Sequence, residues 1–120
     1  FTPDRTTAYA RRVTQEAQLA MRGTGPMVGP VEAHVIAEIA PPASWSQRRR
    51  ASALEGAIAA TAKPDLDNLL KNVFDAMNRV VYYDDAQIVR KTVEKRFSTR
   101  SRVTIEVTPL KGEPAYPLPA

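Results

Sequence analysis

The sequence predicts an α+β fold, with helices packed on one face of a mixed β-sheet. Three observations point there. Val31–Ala40 and Arg102–Thr108 alternate apolar and polar residues with a period of two, the signature of half-buried strands. Leu66, Leu69, Leu70, Val73, Phe74 and Met77 recur at helical spacing instead. Helices and strands also fail to alternate strictly, which favours α+β over a doubly wound parallel sheet. A length of 120 residues suits one core and not two.

Taken in order, Thr7–Arg22 reads as a helix with Ala10, Val13, Ala17, Ala20 and Met21 on its apolar face, stopped by Gly23. A loop follows from Gly23 to Pro30. In the strand Val31–Ala40, Val31, Ala33, Val35, Ala37 and Ile39 share one face, and His34 lies on the other beside Glu32 and Glu38 as a surface residue. Ser44–Ala60 is expected to be helical or partly ordered. A helix of about three turns then starts with Asp67 as its N-cap and fades near Asn78-Arg79. Val80-Val81-Tyr82-Tyr83 returns the chain to Asp84-Asp85. Gln87–Phe97 reads as a strand, Ser98–Ser101 as a turn, and Arg102–Thr108 as the second arm of a hairpin with Val103, Ile105 and Val107 inward.

Composition narrows the function. The chain carries a formal charge of +4 and a pI near 9.7, which suits a polyanionic partner. It has no cysteine and one histidine, which leaves little for a zinc site and fits a cytoplasmic protein. No apolar run approaches a membrane span, and nothing resembles a signal peptide.

Against that basic background, Lys63-Pro64-Asp65-Leu66-Asp67-Asn68-Leu69-Leu70-Lys71 stands out, with Asp84-Asp85 downstream. In an extended segment Asp65 and Asp67 would face one side, and Lys71 follows Asp67 by one helical turn. Carboxylates gathered this way repel unless a cation or a proton relieves them. Magnesium and manganese take oxygen ligands, with substrate phosphates filling the remaining positions. Such an ion can activate water, and a neighbouring lysine can stabilise charge developing on a phosphate. Read singly, Asp67 is more often a cap than a ligand, and Asp84-Asp85 more often a solvated turn. Their conjunction with Lys71 favours the metal.

Two basic regions are candidates for DNA contact. Arg48, Arg49 and Arg50 precede the acidic helix; Arg90, Lys91, Lys95, Arg96, Arg100 and Arg102 decorate the expected hairpin, against the single acid Glu94. Charges on an exposed strand also serve simply to keep an edge soluble. Trp45 is favoured as a packing anchor over a base-stacking residue. A phosphotransfer receiver domain also holds magnesium with an Asp-Asp pair, but it needs an alternating parallel sheet. A non-catalytic branched-DNA-binding module would gain nothing from carboxylates facing DNA.

These residues resemble the signature of the RusA-type Holliday junction resolvases of bacteria and prophages. The likeness runs through Lys63–Lys71, Asp75-Ala76 and Tyr83-Asp84-Asp85-Ala86-Gln87-Ile88-Val89. It extends to Pro41-Pro42-Ala43-Ser44-Trp45-Ser46 with Arg48–Arg50 and Ala53, to Phe1-Thr2-Pro3 with Thr7 and Tyr9 at the start of the first helix, and to Lys95 and Arg102–Val107. The resemblance implies a magnesium-dependent endonuclease, manganese substituting, that acts as a homodimer on four-way DNA junctions in recombination and repair. Paired nicks would leave 5′-phosphate and 3′-hydroxyl ends. By position, Asp65, Asp67 and Asp85 match the family's catalytic carboxylates and Lys71 its lysine. Asp84 either touches the metal through water or completes the turn. Arg48, Arg49, Arg50, Lys91 and Lys95 are the expected DNA contacts. A nuclease acting on flaps or other branches remains open beside the junction resolvase.

The chain opens at a residue the family places after a first β-strand and a basic loop. Either it is a fragment or this member is truncated. The nuclease domain is expected over 1–110, with a proline-rich tail over 111–120 outside the core.

Overall fold

The computed structural model describes residues 3–116, so Phe1-Thr2 and the tail residues 117–120 lie outside the described residues. Its centre is the strand β1 (Val31–Ile39), where Val31, Ala33 and Val35 are fully buried and Ala37 is nearly so. The alternation read from the sequence therefore marks the face that meets the helices. Glu32, His34 and Ile36 point the other way and are half-buried.

The strands β2 (Ile88–Phe97) and β3 (Arg102–Pro109) flank β1 in the order β2-β1-β3. β2 runs parallel to β1 and β3 antiparallel, which makes the sheet mixed. The expected β2–β3 hairpin is thereby corrected: β1 lies between its two arms. The physical reason is composition. β1 is the most apolar of the three and takes the position shielded on both edges, while the charged strands take the edges. Residues 98–101 cross the end of β1, held there by Ser98 N donating to Ile39 O at 3.0 Å and Ala40 N donating to Ser101 Oγ at 3.0 Å.

The helix α1 (Pro3–Ala20) begins four residues before the expected Thr7, because proline is tolerated in the first turn of a helix. It buries Val13 and Ala17, whereas Ala20 is exposed and drops out of the predicted apolar face. Gly23 follows with φ 77°, a conformation suited to ending a helix. The helix α2 (Gln47–Leu54) occupies part of the segment left open between helix and partial order, with Ser46 as its N-cap.

The helix α3 (Leu66–Ala76) buries Leu69, Leu70, Val73 and Phe74 against the sheet and packs beside α1. The Thr14 hydroxyl of α1 sits 2.9 Å from Ala76 O at the end of α3. Beneath this end lies Tyr82, fully buried, whose hydroxyl donates to Phe74 O at 2.8 Å. Among the described residues, three α-helices and one three-stranded sheet make up the α+β architecture.

Candidate active site

The residue that caps α3 is Asp65, not Asp67. Asp65 holds extended backbone angles, and its Oδ1 accepts from Asn68 N at 3.1 Å. Leu66 must already be helical to reach the core, so the cap falls one residue before it. Asp67 consequently lies in the first turn, exposed, where the helix dipole favours negative charge. The expectation that Asp67 was the N-cap and that the pair lay on one extended segment is corrected with it. The two carboxylates still line one place. Lys63, Asp65, Asp67, Asn68 and Lys71 surround an open depression of about 500 Å³, with Lys71 one turn above Asp67.

Asp84 and Asp85 sit elsewhere. Asp84 caps a short 3-10 turn over Asp85–Gln87, its Oδ1 accepting from Ala86 N at 2.8 Å. Gln87 completes a capping box and does more. Its Oε1 accepts from Tyr83 N at 2.8 Å and Asp84 N at 3.0 Å, while its Nε2 donates to Met27 O at 3.0 Å and Gly29 O at 2.8 Å. The acidic turn is thus fastened to the loop that feeds β1. Gly29 needs its φ of 84° there, and Gly112 O lies 3.3 Å from where a Cβ would be.

Burial raises the Asp85 carboxyl above its ordinary value, and the neighbouring Asp84 and Asp75 raise it further, against an opposing hydrogen bond from Asn78. The Tyr82 phenol is pushed up as well, first by burial and then by Asp85, Asp75 and Asp84. Asp85 shares a cavity of about 260 Å³ with Phe74, Ile88, Val89, Arg90 and Lys91.

The four predicted carboxylates are therefore two pairs, one at each end of α3. Eleven helical residues separate those ends by about 16 Å. Among the described residues, no three carboxylate or imidazole side chains converge on one point. The donor chemistry, all oxygen, fits magnesium or manganese, but the described residues of one chain do not close a cage around an ion. The expected convergence within a single chain is corrected: the return segment comes back under the C-terminal end of the helix, anchored by Tyr82, and not to its start.

The basic residues also divide. Arg48, Arg49 and Arg50 are exposed on α2, although the Arg49 guanidinium lies 4.3 Å from the Trp45 ring centre. Trp45 packs edge-on against Phe97 at 5.6 Å. Lys91 is exposed beside Asp85. Lys95 departs from its expected role. Its Nζ donates to Ala62 O at 2.6 Å and Pro64 O at 2.9 Å, so the ammonium faces the main chain.

The strand arginines have more partners than Glu94. Arg90 pairs with Glu32 at 3.3 Å, and Arg102 and Arg96 reach Glu38 at 2.6 and 3.8 Å. The Arg102 hydrogen bond holds the Glu38 carboxyl below its usual range despite burial. These pairs arise because β1 lies between the basic strands. Sequence reasoning also missed Gln87 and Tyr82. Gln87 had a readable signal, since Asp84-x-x-Gln87 has capping-box spacing. Tyr82 had none beyond being aromatic.

Comparison with known proteins places this geometry. The family model described as Endodeoxyribonuclease RusA matches residues 1–108. A 64-residue segment, 53% of this chain, is 39% identical to the uncharacterized protein YqaN of Bacillus subtilis (strain 168) and covers 45% of it. A 49-residue segment, 40% of the chain, is 47% identical to the crossover junction endodeoxyribonuclease rusA of Lactococcus phage r1t and covers 37% of it. The matched segments thus span less than half the length of these curated relatives. The family match itself takes in both acidic pairs, Lys71, the Gln87 turn, β1, β2 and all but the last residue of β3, and on that extent the chain belongs to the RusA endodeoxyribonuclease family.

Proposed function

We propose that this chain is a divalent-metal-dependent endonuclease that cuts branched DNA, with four-way junctions as its preferred substrate. The observation that carries the reading is the open depression at the start of α3, where Asp65 and Asp67 stand beside Lys63 and Lys71. A surface built only to grip phosphates would gain nothing from carboxylates there. The family membership supplies the substrate class.

Lys71 offers a compact positive charge one turn above Asp67, suited to a non-bridging phosphate oxygen as charge grows on it. Bound magnesium, or manganese in its place, would supply Lewis acidity and an activated water. The Asp65–Asp67 and Asp84–Asp85 pairs are both assigned to this chemistry, and a homodimer gives the two ends of α3 a way to meet across copies. Arg48, Arg49, Arg50 and Lys91 remain as exposed cations for the DNA backbone. The nuclease unit is residues 1–110, in a cytoplasmic setting suited to a cysteine-free basic chain.

The test is cleavage of a synthetic mobile four-way junction, with a flap and a linear duplex beside it, in magnesium and in EDTA. Paired, ligatable nicks on opposite strands, lost in EDTA and in Asp67→Asn, are the expected result. Flap cutting without junction cutting would replace the substrate. Tight junction binding without any cutting would overturn the enzyme.

A further inference from the structure

We infer that Lys95 is a positioning residue for the Asp65–Asp67 pair, acting through the main chain of Ala62–Pro64 and not through DNA. The inference rests on the nuclease reading above and adds to it a residue that touches neither substrate nor metal.

Lys95 is paired in register with Ala37 of β1, so it shares with Val93 and Phe97 the face of the sheet that the helices cover. Among the described residues its ammonium meets no carboxylate. It donates instead to the carbonyls of Ala62 and Pro64, which bracket Lys63. An ammonium has three donors, so two are spent on this one short stretch.

That stretch has no regular secondary structure, and Pro64 has no N–H with which to anchor itself. The Pro64 carbonyl belongs to the peptide bond that leads into Asp65. On the helix side, Asp65 is fixed by Asn68 N on its Oδ1 and by Leu69 N on its own carbonyl. On the loop side, Lys95 is the charged group that holds the chain. The cap residue is clamped from both directions, and with it the orientation of the carboxylates in the depression.

The experiment compares Lys95→Met and Lys95→Arg with wild type, using the full chain and the four-way junction. Junction affinity across a salt series, single-turnover cleavage and its magnesium dependence, and amide exchange over Lys63–Asn68 are measured. For Lys95→Met, cleavage is expected to fall by about 10- to 100-fold, as when supporting partners of a site are removed. Half-maximal cleavage should need more magnesium, Lys63–Asn68 should exchange faster, and junction affinity and its salt slope should be unchanged. Lys95→Arg, which keeps donors for the same carbonyls, should recover part of the rate. If Lys95→Met does not fold, the same comparison of rate, affinity and exchange rests on Lys95→Arg.

Weaker binding with a salt slope reduced by about one would make Lys95 a phosphate contact and overturn the assignment. Unchanged cleavage by Lys95→Met beside an active wild type would overturn it alone. A wild-type chain that cuts no branched DNA overturns the nuclease reading itself and the role of Lys95 with it.

Discussion

The two acidic pairs stand at opposite ends of the same helix, and the fold treats them in opposite ways. At the start of α3 the carboxylates are exposed, one caps the helix, the other lies where the dipole favours it, and two lysines are near. Folding gains from them. Below the other end, Asp85 is partly buried with Asp84 and Asp75 close by, and folding must hold like charges together. Asp65 and Asp67 each have a structural reason to exist, and so does Asp84, which caps its own turn; Asp85 is the carboxylate whose burial the fold must offset. The Asp65–Asp67 motif is the easier of the two to see in the sequence.

The sharpest way to break this comparison is activity. Asp67→Asn and Asp85→Asn should each reduce junction cleavage to background in a single-turnover assay; a variant that still cuts removes its pair from the site. Next in size is the support beneath the second pair. Tyr82→Phe leaves Phe74 O without its buried donor and should cost about 1–3 kcal/mol in denaturant unfolding. At the first pair, Asp65→Ala should cost about 1 kcal/mol through the lost cap, while Asp65→Asn, also a good cap, should cost almost nothing.

The smallest effect has the opposite sign. The folded Asp85 carboxyl is raised, so the unfolded chain gives up that proton at lower pH than the folded one. Stability from this group therefore falls as pH climbs from the unfolded to the raised folded value, and stays lower above it. Asp85→Asn should flatten that fall and raise the melting temperature modestly at neutral pH. Equal melting temperatures for wild type and variant across the acidic range would erase the contrast between the pairs.

Much of the frame was legible in the sequence. β1 and α3 were readable because their buried apolar residues keep one period, broken in β1 only by Ile36, and a period reports directly on which face is buried. The pairing of β2 with β3 was misread for a reason of scale. A four-residue connection suggests neighbours, but strand order is decided by which strand most needs shielding, and β1 lies some sixty residues back in the sequence. The cap was misread by two positions because Asp65 and Asp67 are both good capping residues, and only the burial of Leu66 decides between them. Asp84 and Asp85 were recognised, but their distance from Asp65 depends on Tyr82 anchoring the return segment. Lys95 read as a DNA contact, and its hold on the loop was not legible, since its acceptors are carbonyls of a segment with no pattern to read.

The order of the strands has a consequence for how this protein is made. Asp65, Asp67, Lys71, Asp84 and Asp85 all lie in the single crossover between β1 and β2. On the ribosome every one of them is synthesised before either strand that will flank β1 exists. A nascent or prematurely terminated product ending before Ile88 carries the whole set of acids, but neither Lys95 nor a sheet on which to seat them. Seating of the acidic residues is thereby tied to synthesis of β2 and β3, the strands that complete the sheet beneath them.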